Sequence, residues 1–166
     1  MRLFTLVRTL VYMTAFFFLW GYASLAVKRY DARLGGELPA DARVIGVMLF
    51  ALGIALAVSC GLAFTFYGRG TPAPFDAPRE FVAAGPYRWV RNPMYIGGLA
   101  ALVGFALWER SPSIALLAVA LSIALHLLVV FYEEPTLREQ FGDSYLAYKA
   151  RVNRWLPRRT TRGGTR

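Results

Sequence analysis

Glu133 and Glu134 stand side by side at the end of a long apolar run. Adjacent carboxylates repel each other, and either one inside hydrocarbon costs on the order of 2–4 kcal/mol. The plain reading of such a pair is a helix end that has reached water. His126 precedes Glu133 by seven residues. At about 100° per residue a helix returns it to nearly the same face, about two turns deeper. That spacing predicts that His126 lines the same cavity, with Glu134 and His126 as the candidate proton acceptors. The plainer alternative for His126 is a packed side chain.

A second cluster is "GPYRWVRNPMYIGG", residues 85–98, directly before another apolar run. Pro86 and Pro93 fix backbone angles, and Gly85 permits close approach of a ligand. Tyr87, Trp89 and Tyr95 offer ring faces, while Arg88 and Arg91 offer donors for anions. The alternative use of these groups is interfacial, with Arg91 snorkelling to headgroups and Trp89 and Tyr95 anchoring at that depth.

The elements that must position these clusters are apolar helices. The chain has 166 residues, of which 57% are hydrophobic and only 17% charged. Its apolar residues gather into runs at 3–27, 44–68, 94–109 and 112–132. About 20 apolar residues cross the ~30 Å hydrocarbon core, so the first two runs and the last can span it, and the third is shorter. Only "ERSP" separates the last two, which predicts a tight antiparallel hairpin. The expected architecture is a single all-α, polytopic membrane domain with about four transmembrane helices. For the first run the alternative is a cleaved signal peptide, but its length and aromatic content favour a retained helix.

Residues 69–93 form a proline-rich connector that cannot be one continuous helix. Within it, Phe81, Val82, Tyr87 and Trp89 are expected to dip toward the membrane. After the hairpin, Pro135 predicts a kink at Glu134. Residues 135–157 then read as an amphipathic helix and cap, broken near Gly142, with Leu137, Phe141, Tyr145 and Tyr148 available for one face. Residues 158–166 are a basic tail suited to lipid headgroups.

Net charge is +9, concentrated in the C-terminal stretch and in the connector. With four crossings these two segments share a side with the N-terminus. The positive-inside rule makes that side cytoplasmic, at the inner membrane if the source is bacterial. Lys28, Arg29, Arg33 and Arg43 would face the other side, offset in part by Asp31, Glu37 and Asp41. Anionic lipids account for the basic surface, and no nucleic-acid motif is present. The one cysteine, Cys60, forms no internal disulfide and its surroundings in sequence offer no metal-ligand spacing.

In order along the chain, "GPYxxxRNPxY", an apolar hairpin, "EE" and "FGxxYxxYxxxVxRWLPR" make a signature over residues 80–158. It resembles the isoprenylcysteine carboxyl methyltransferase-like family of membrane enzymes, related to phospholipid methyltransferases. The resemblance implies an S-adenosylmethionine site between connector, hairpin and C-terminal helix. Carried over position by position, the cofactor contacts are Glu80, Phe81, Val82, Tyr87, Asn92, Pro93, Met94, Tyr95 and Glu133. The chemistry is compatible: a glutamate suits the ammonium, amides or an arginine the carboxylate, and ring faces the adenine and the sulfonium.

The implied reaction is methyl transfer at the cytoplasmic face to a lipophilic or small hydrophobic acceptor. Phe131, Tyr132, Arg91 and Arg154 are its candidate substrate contacts, and membrane lipids its surroundings. The alternatives are an NADPH-dependent reductase of the sterol reductase type, which this family also resembles, and a non-catalytic protein retaining the fold. Two departures matter. Asn92 stands where relatives often have histidine, and it cannot act as an acid or base near neutral pH. The carboxyl methyltransferases place an arginine just before the acidic pair, where this chain has Val129, Val130, Phe131 and Tyr132. A prenylcysteine carboxylate is therefore not the expected acceptor. Asn153, where relatives often have proline, is expected to be neutral.

Overall fold

A computed structural model describes residues 2–68 and 82–158. Glu80 and Phe81, two of the expected cofactor contacts, lie outside the described residues. The architecture is the expected all-α polytopic membrane fold. Helix α1 spans Arg2–Lys28, a short α2 spans Asp31–Leu34, and α3 spans Ala42–Ala63 and runs into a π-helical turn at Phe64–Gly68. A 3-10 turn at Gly85–Arg88 leads to α4, Pro93–Trp108. Then come α5, Pro112–Leu128, a second π turn at Val129–Glu133, and α6, Glu134–Arg151. Three of these stretches are long and apolar enough to cross a membrane, and α4, at 16 residues, is shorter.

The core of the molecule is the α3–α4 pair, and glycine makes it possible. Gly46 and Gly53 on α3 face Gly104 and Gly97 on α4, seven residues apart on each helix. A Cβ added at Gly53 would lie 2.4 Å from the Ala101 amide nitrogen, and one at Gly104 would lie 2.3 Å from that of Phe50. The two backbones therefore touch, as small residues permit where lipid provides no hydrophobic drive for association. Cys60 is fully buried beside this seam, packed with Ala63, Val82 and Tyr87.

The hairpin between α4 and α5 is closed by local chemistry. Arg110 takes a positive φ of 55°, normally a glycine conformation. Its side chain compensates by donating to the Leu38 carbonyl at 2.9 Å and pairing with Glu37 at 2.9 Å. Ser111 caps α5 by accepting from the Ile114 amide, and Pro112 follows where no donor is needed. Asp31 reaches across from α2 to accept from Ser111 Oγ and the Ser113 amide, both at 2.9 Å. Lys28 pairs with Glu109 beside it. The α1–α2 corner is thus tied to the hairpin turn.

Burial pushes the Asp31 carboxyl up, but the Ser113 and Ser111 hydrogen bonds and the Lys28 charge outweigh it and leave it below its ordinary value. A carboxyl lowered by folding stabilises above its unfolded value, and the contribution fades as pH falls through the folded one. Asp31→Asn is expected to cost about 1 kcal/mol at neutral pH, a charged hydrogen bond discounted for partial exposure. Thermal unfolding in detergent checks this: the gap between the two proteins should close well below pH 3.8, the ordinary aspartate value.

One local expectation is corrected and one is met. Glu134, although it precedes Pro135, keeps helical angles of −63° and −41°. The π turn before it carries the chain from α5 into α6 without the expected break, so the proline's missing donor falls where the hydrogen-bond ladder is already shifted. The break at Gly142 is present, with φ 51° and ψ −127°.

Candidate functional site

A cavity of about 80 Å³ lies where the connector, the second π turn and α6 converge. The connector contributes Val82, Tyr87, Arg91 and Asn92, and the first π turn contributes Phe64. Val129 and Glu133 come from the second π turn, and Glu134, Leu137, Phe141, Tyr145 and Tyr148 from α6. Both π turns thus border it, each opening its helix at the cavity wall. Phe64 and Tyr87 meet edge to face with centroids 5.2 Å apart. Tyr148 donates to the Tyr87 carbonyl at 2.7 Å. Burial, then the neighbouring Cys60, raises the Tyr87 phenol well above its ordinary value, so it stays protonated.

Tyr95, one turn into α4, donates its hydroxyl proton to the Glu133 carboxylate. The first acid of the pair is thereby held at the cavity from both sides of the hairpin. Glu134 points into a different environment. Its Oε1 accepts from Arg154 at 2.6 Å and lies 3.1 Å from Arg91, and its Oε2 accepts from Lys149 at 3.0 Å. Adjacent acids that looked equivalent in sequence have opposite settings, one hydrogen-bonded by a neutral phenol and one clamped by three cations.

Backbone pairing holds the clamp together. The Arg91 amide donates to the Asn153 carbonyl at 2.8 Å, and the Asn92 amide to that of Arg154 at 3.3 Å. Asn92 Nδ2 donates to the same Arg154 oxygen at 3.3 Å. The residues after α6 therefore form a strap along the connector. Asn153 acts through its carbonyl, which a proline would supply equally.

Glu134 has both of its oxygens engaged by cations. His126 does not line the cavity. It is exposed on α5, where its Nδ1 accepts from Trp155 Nε1 at 3.1 Å. The intervening π turn is the reason: its wider turns abolish the seven-residue return that would have aligned His126 with Glu133. Phe131 and Tyr132 are 75% and 62% exposed and are not among the residues that line the cavity. Trp89 is 69% exposed. Arg154 is committed to Glu134, and so is one arm of Arg91.

Of the remaining expected cofactor contacts, Val82, Tyr87, Asn92 and Glu133 line the cavity. Pro93 is buried at the start of α4, Met94 packs on the Cys60 cluster, and Tyr95 acts through Glu133. Phe64 and Lys149 went unnoticed in the sequence. Lys149 follows Tyr145 by four residues on one helix, a spacing that places the two near each other. Phe64 had no local signal.

An all-α membrane bundle with a carboxylate at the mouth of its last hairpin defines the class. Residues 42–144 match the phospholipid methyltransferase family, and the chain belongs to it. Over 96 residues it is also 32% identical to a Homo sapiens protein, phosphatidylethanolamine N-methyltransferase. That alignment covers 57% of this chain and 48% of the relative, so the chain spans about half the length of the curated relative it matches.

Proposed function

We propose that this chain is an S-adenosylmethionine-dependent methyltransferase, acting on a lipophilic or small hydrophobic acceptor at the membrane face that carries both termini. By the distribution of basic residues that face is cytoplasmic. The observation that carries the reading is Glu133, held by Tyr95 at the edge of a cavity walled by aromatic rings.

The residues present suit the cofactor. Glu133 offers a carboxylate for its ammonium. Arg91 Nε is buried with no hydrogen-bond partner among the described residues, and it lies on the cavity wall, where the cofactor's carboxylate would satisfy it. Phe64, Tyr87 and Tyr148 supply ring faces for a cation or an adenine. The described cavity has room for a handful of water-sized groups, which matches the amino-acid end of the molecule.

Bound S-adenosylmethionine supplies an electrophilic methyl group. The chain's own work is binding and alignment: Glu133 and Arg91 fix the amino-acid end, Tyr95 orients Glu133, and the apolar wall of Val82, Val129 and Leu137 limits water. With Glu134 clamped and Glu133 assigned to the cofactor's ammonium, no carboxylate lining the cavity among the described residues is left to act as base, so an amine acceptor would lose its proton to water or arrive neutral. The relative's name favours a lipid amine as acceptor. The commitment of Arg91 and Arg154 to Glu134 argues against a prenylcysteine carboxylate.

The test is calorimetry of detergent-purified protein with S-adenosylmethionine, S-adenosylhomocysteine and NADPH. Labelled methyl transfer to phosphatidylethanolamine, an alkyl thiol and a farnesylated cysteine analogue then separates acceptors. Binding of the first two ligands and labelling of the amine or thiol are expected. Binding of NADPH alone, or efficient labelling of the prenylcysteine, would refute the reading. Glu133→Gln is expected to weaken both adenosyl ligands by about 1.5–3 kcal/mol, since both keep the ammonium. Unchanged affinity in the folded variant removes Glu133 from the site.

A further inference from the structure

Helix α1 lies outside the residues matched to the family, yet its Thr9 meets Thr65, the neighbour of the cavity-lining Phe64. Thr9 and Thr65 are 1% and 3% exposed, and their hydroxyl oxygens stand 2.8 Å apart. Thr65 Oγ1 also donates to the Gly61 carbonyl at 3.2 Å. A hydroxyl has one proton, so with Thr65's proton on Gly61 it is Thr9 that donates to Thr65. One turn along, Met13 covers Gly61 so closely that a Cβ there would lie 2.4 Å from its sulfur. Thr9 and Met13, four residues apart on α1, thus face Thr65 and Gly61, four apart on the opposing strand of helix.

Thr65 belongs to the first π turn, next to Phe64, whose ring lines the cavity and meets Tyr87. A π turn shifts the backbone hydrogen-bond ladder and is rare in helices. Here a side-chain chain runs from Thr9 to Thr65 to the Gly61 carbonyl. Burying two hydroxyls costs free energy unless they are hydrogen-bonded, and this contact satisfies both.

We propose that Thr9 is a positioning residue for the cavity: through Thr65 it holds the π turn that presents Phe64 to the bound cofactor. The inference rests on the reading of this cavity as the S-adenosylmethionine site. The probe is S-adenosylhomocysteine, titrated into wild-type, Thr9→Val, Thr9→Ser and Phe64→Leu proteins and the Thr9→Val/Phe64→Leu double variant. Thr9→Val should weaken binding about three- to tenfold, the loss of one hydrogen bond, and Thr9→Ser should restore it. In the Phe64→Leu background Thr9→Val should have little further effect, because both act through one ring. Amide exchange at residues 64–68 should accelerate in Thr9→Val and not in Thr9→Ser.

A lower melting temperature with unchanged affinity and unchanged exchange at the turn would make Thr9 merely structural and overturn the proposal. So would effects of the two substitutions that simply multiply. Should Thr9→Val not accumulate, Thr9→Ala removes the donor without adding a methyl and carries the same comparisons. A wild-type protein that fails to bind S-adenosylhomocysteine refutes the cofactor reading itself, and the proposal falls with it.

Discussion

Replacing Glu134 with glutamine is expected to destabilise the protein by about 3 kcal/mol while leaving any residual chemistry in the folded fraction largely intact. Three cations converge on this carboxylate, and the substitution leaves them facing each other. Arg91 contributes most of the penalty, because its side chain is only 10% exposed and cannot recover water. Arg154 and Lys149, at 28% and 45%, can partly resolvate, which holds the figure to the lower end of what a broken buried pair costs. The strap after α6 should loosen as well, since Arg154 is one of its anchors. Thermal unfolding in detergent and limited proteolysis near residue 152 measure the two effects. Removing Arg91 together with Glu134 should cost less than the sum of the single changes. A Glu134→Gln protein with unaltered stability and a collapsed kcat would instead return Glu134 to the role of base.

Gly53→Ala should be comparably damaging, at about 3 kcal/mol or more, although it adds a single methyl group. The new Cβ would meet Ala101 N at 2.4 Å and Gly97 O at 2.6 Å, backbone atoms that cannot move without separating α3 from α4. Gly98 is the control. Nothing lies within 4 Å of a Cβ there, so Gly98→Ala should be neutral or gain up to about 1 kcal/mol from helix propensity. The measurement is the yield and melting temperature of the two variants in detergent. Equal behaviour of the pair would mean that α3 and α4 are not in backbone contact.

What could be read in advance follows from how far each interaction reaches along the chain. The helices were legible because a bilayer demands long apolar runs, and the hairpin because four residues permit nothing else. Glu133 and Tyr95 could be brought together because they end adjoining helices of that hairpin. The opposite fates of Glu133 and Glu134 could not, because the clamp depends on residues 149–154 returning to Arg91. The displacement of His126 came from a π turn, which follows from local hydrogen-bond geometry and leaves no mark in apolar periodicity. The glycines of the α3–α4 seam carry a visible seven-residue spacing, but nothing in it names the partner helix.

The brevity of α4 has a consequence for the surrounding bilayer. Sixteen residues rise about 24 Å, some 6 Å short of an ordinary hydrocarbon core. A lone short helix stands upright to recover length, but α4 is fastened backbone to backbone against the longer α3 and must share its tilt. The deficit therefore passes to the lipids, which have to compress beside α4. Since Arg91, Asn92 and Tyr95 cluster at its N-terminal end, that dimple draws headgroups inward at the site. The acyl-chain length of the host membrane then sets how far the leaflet must deform beside α4.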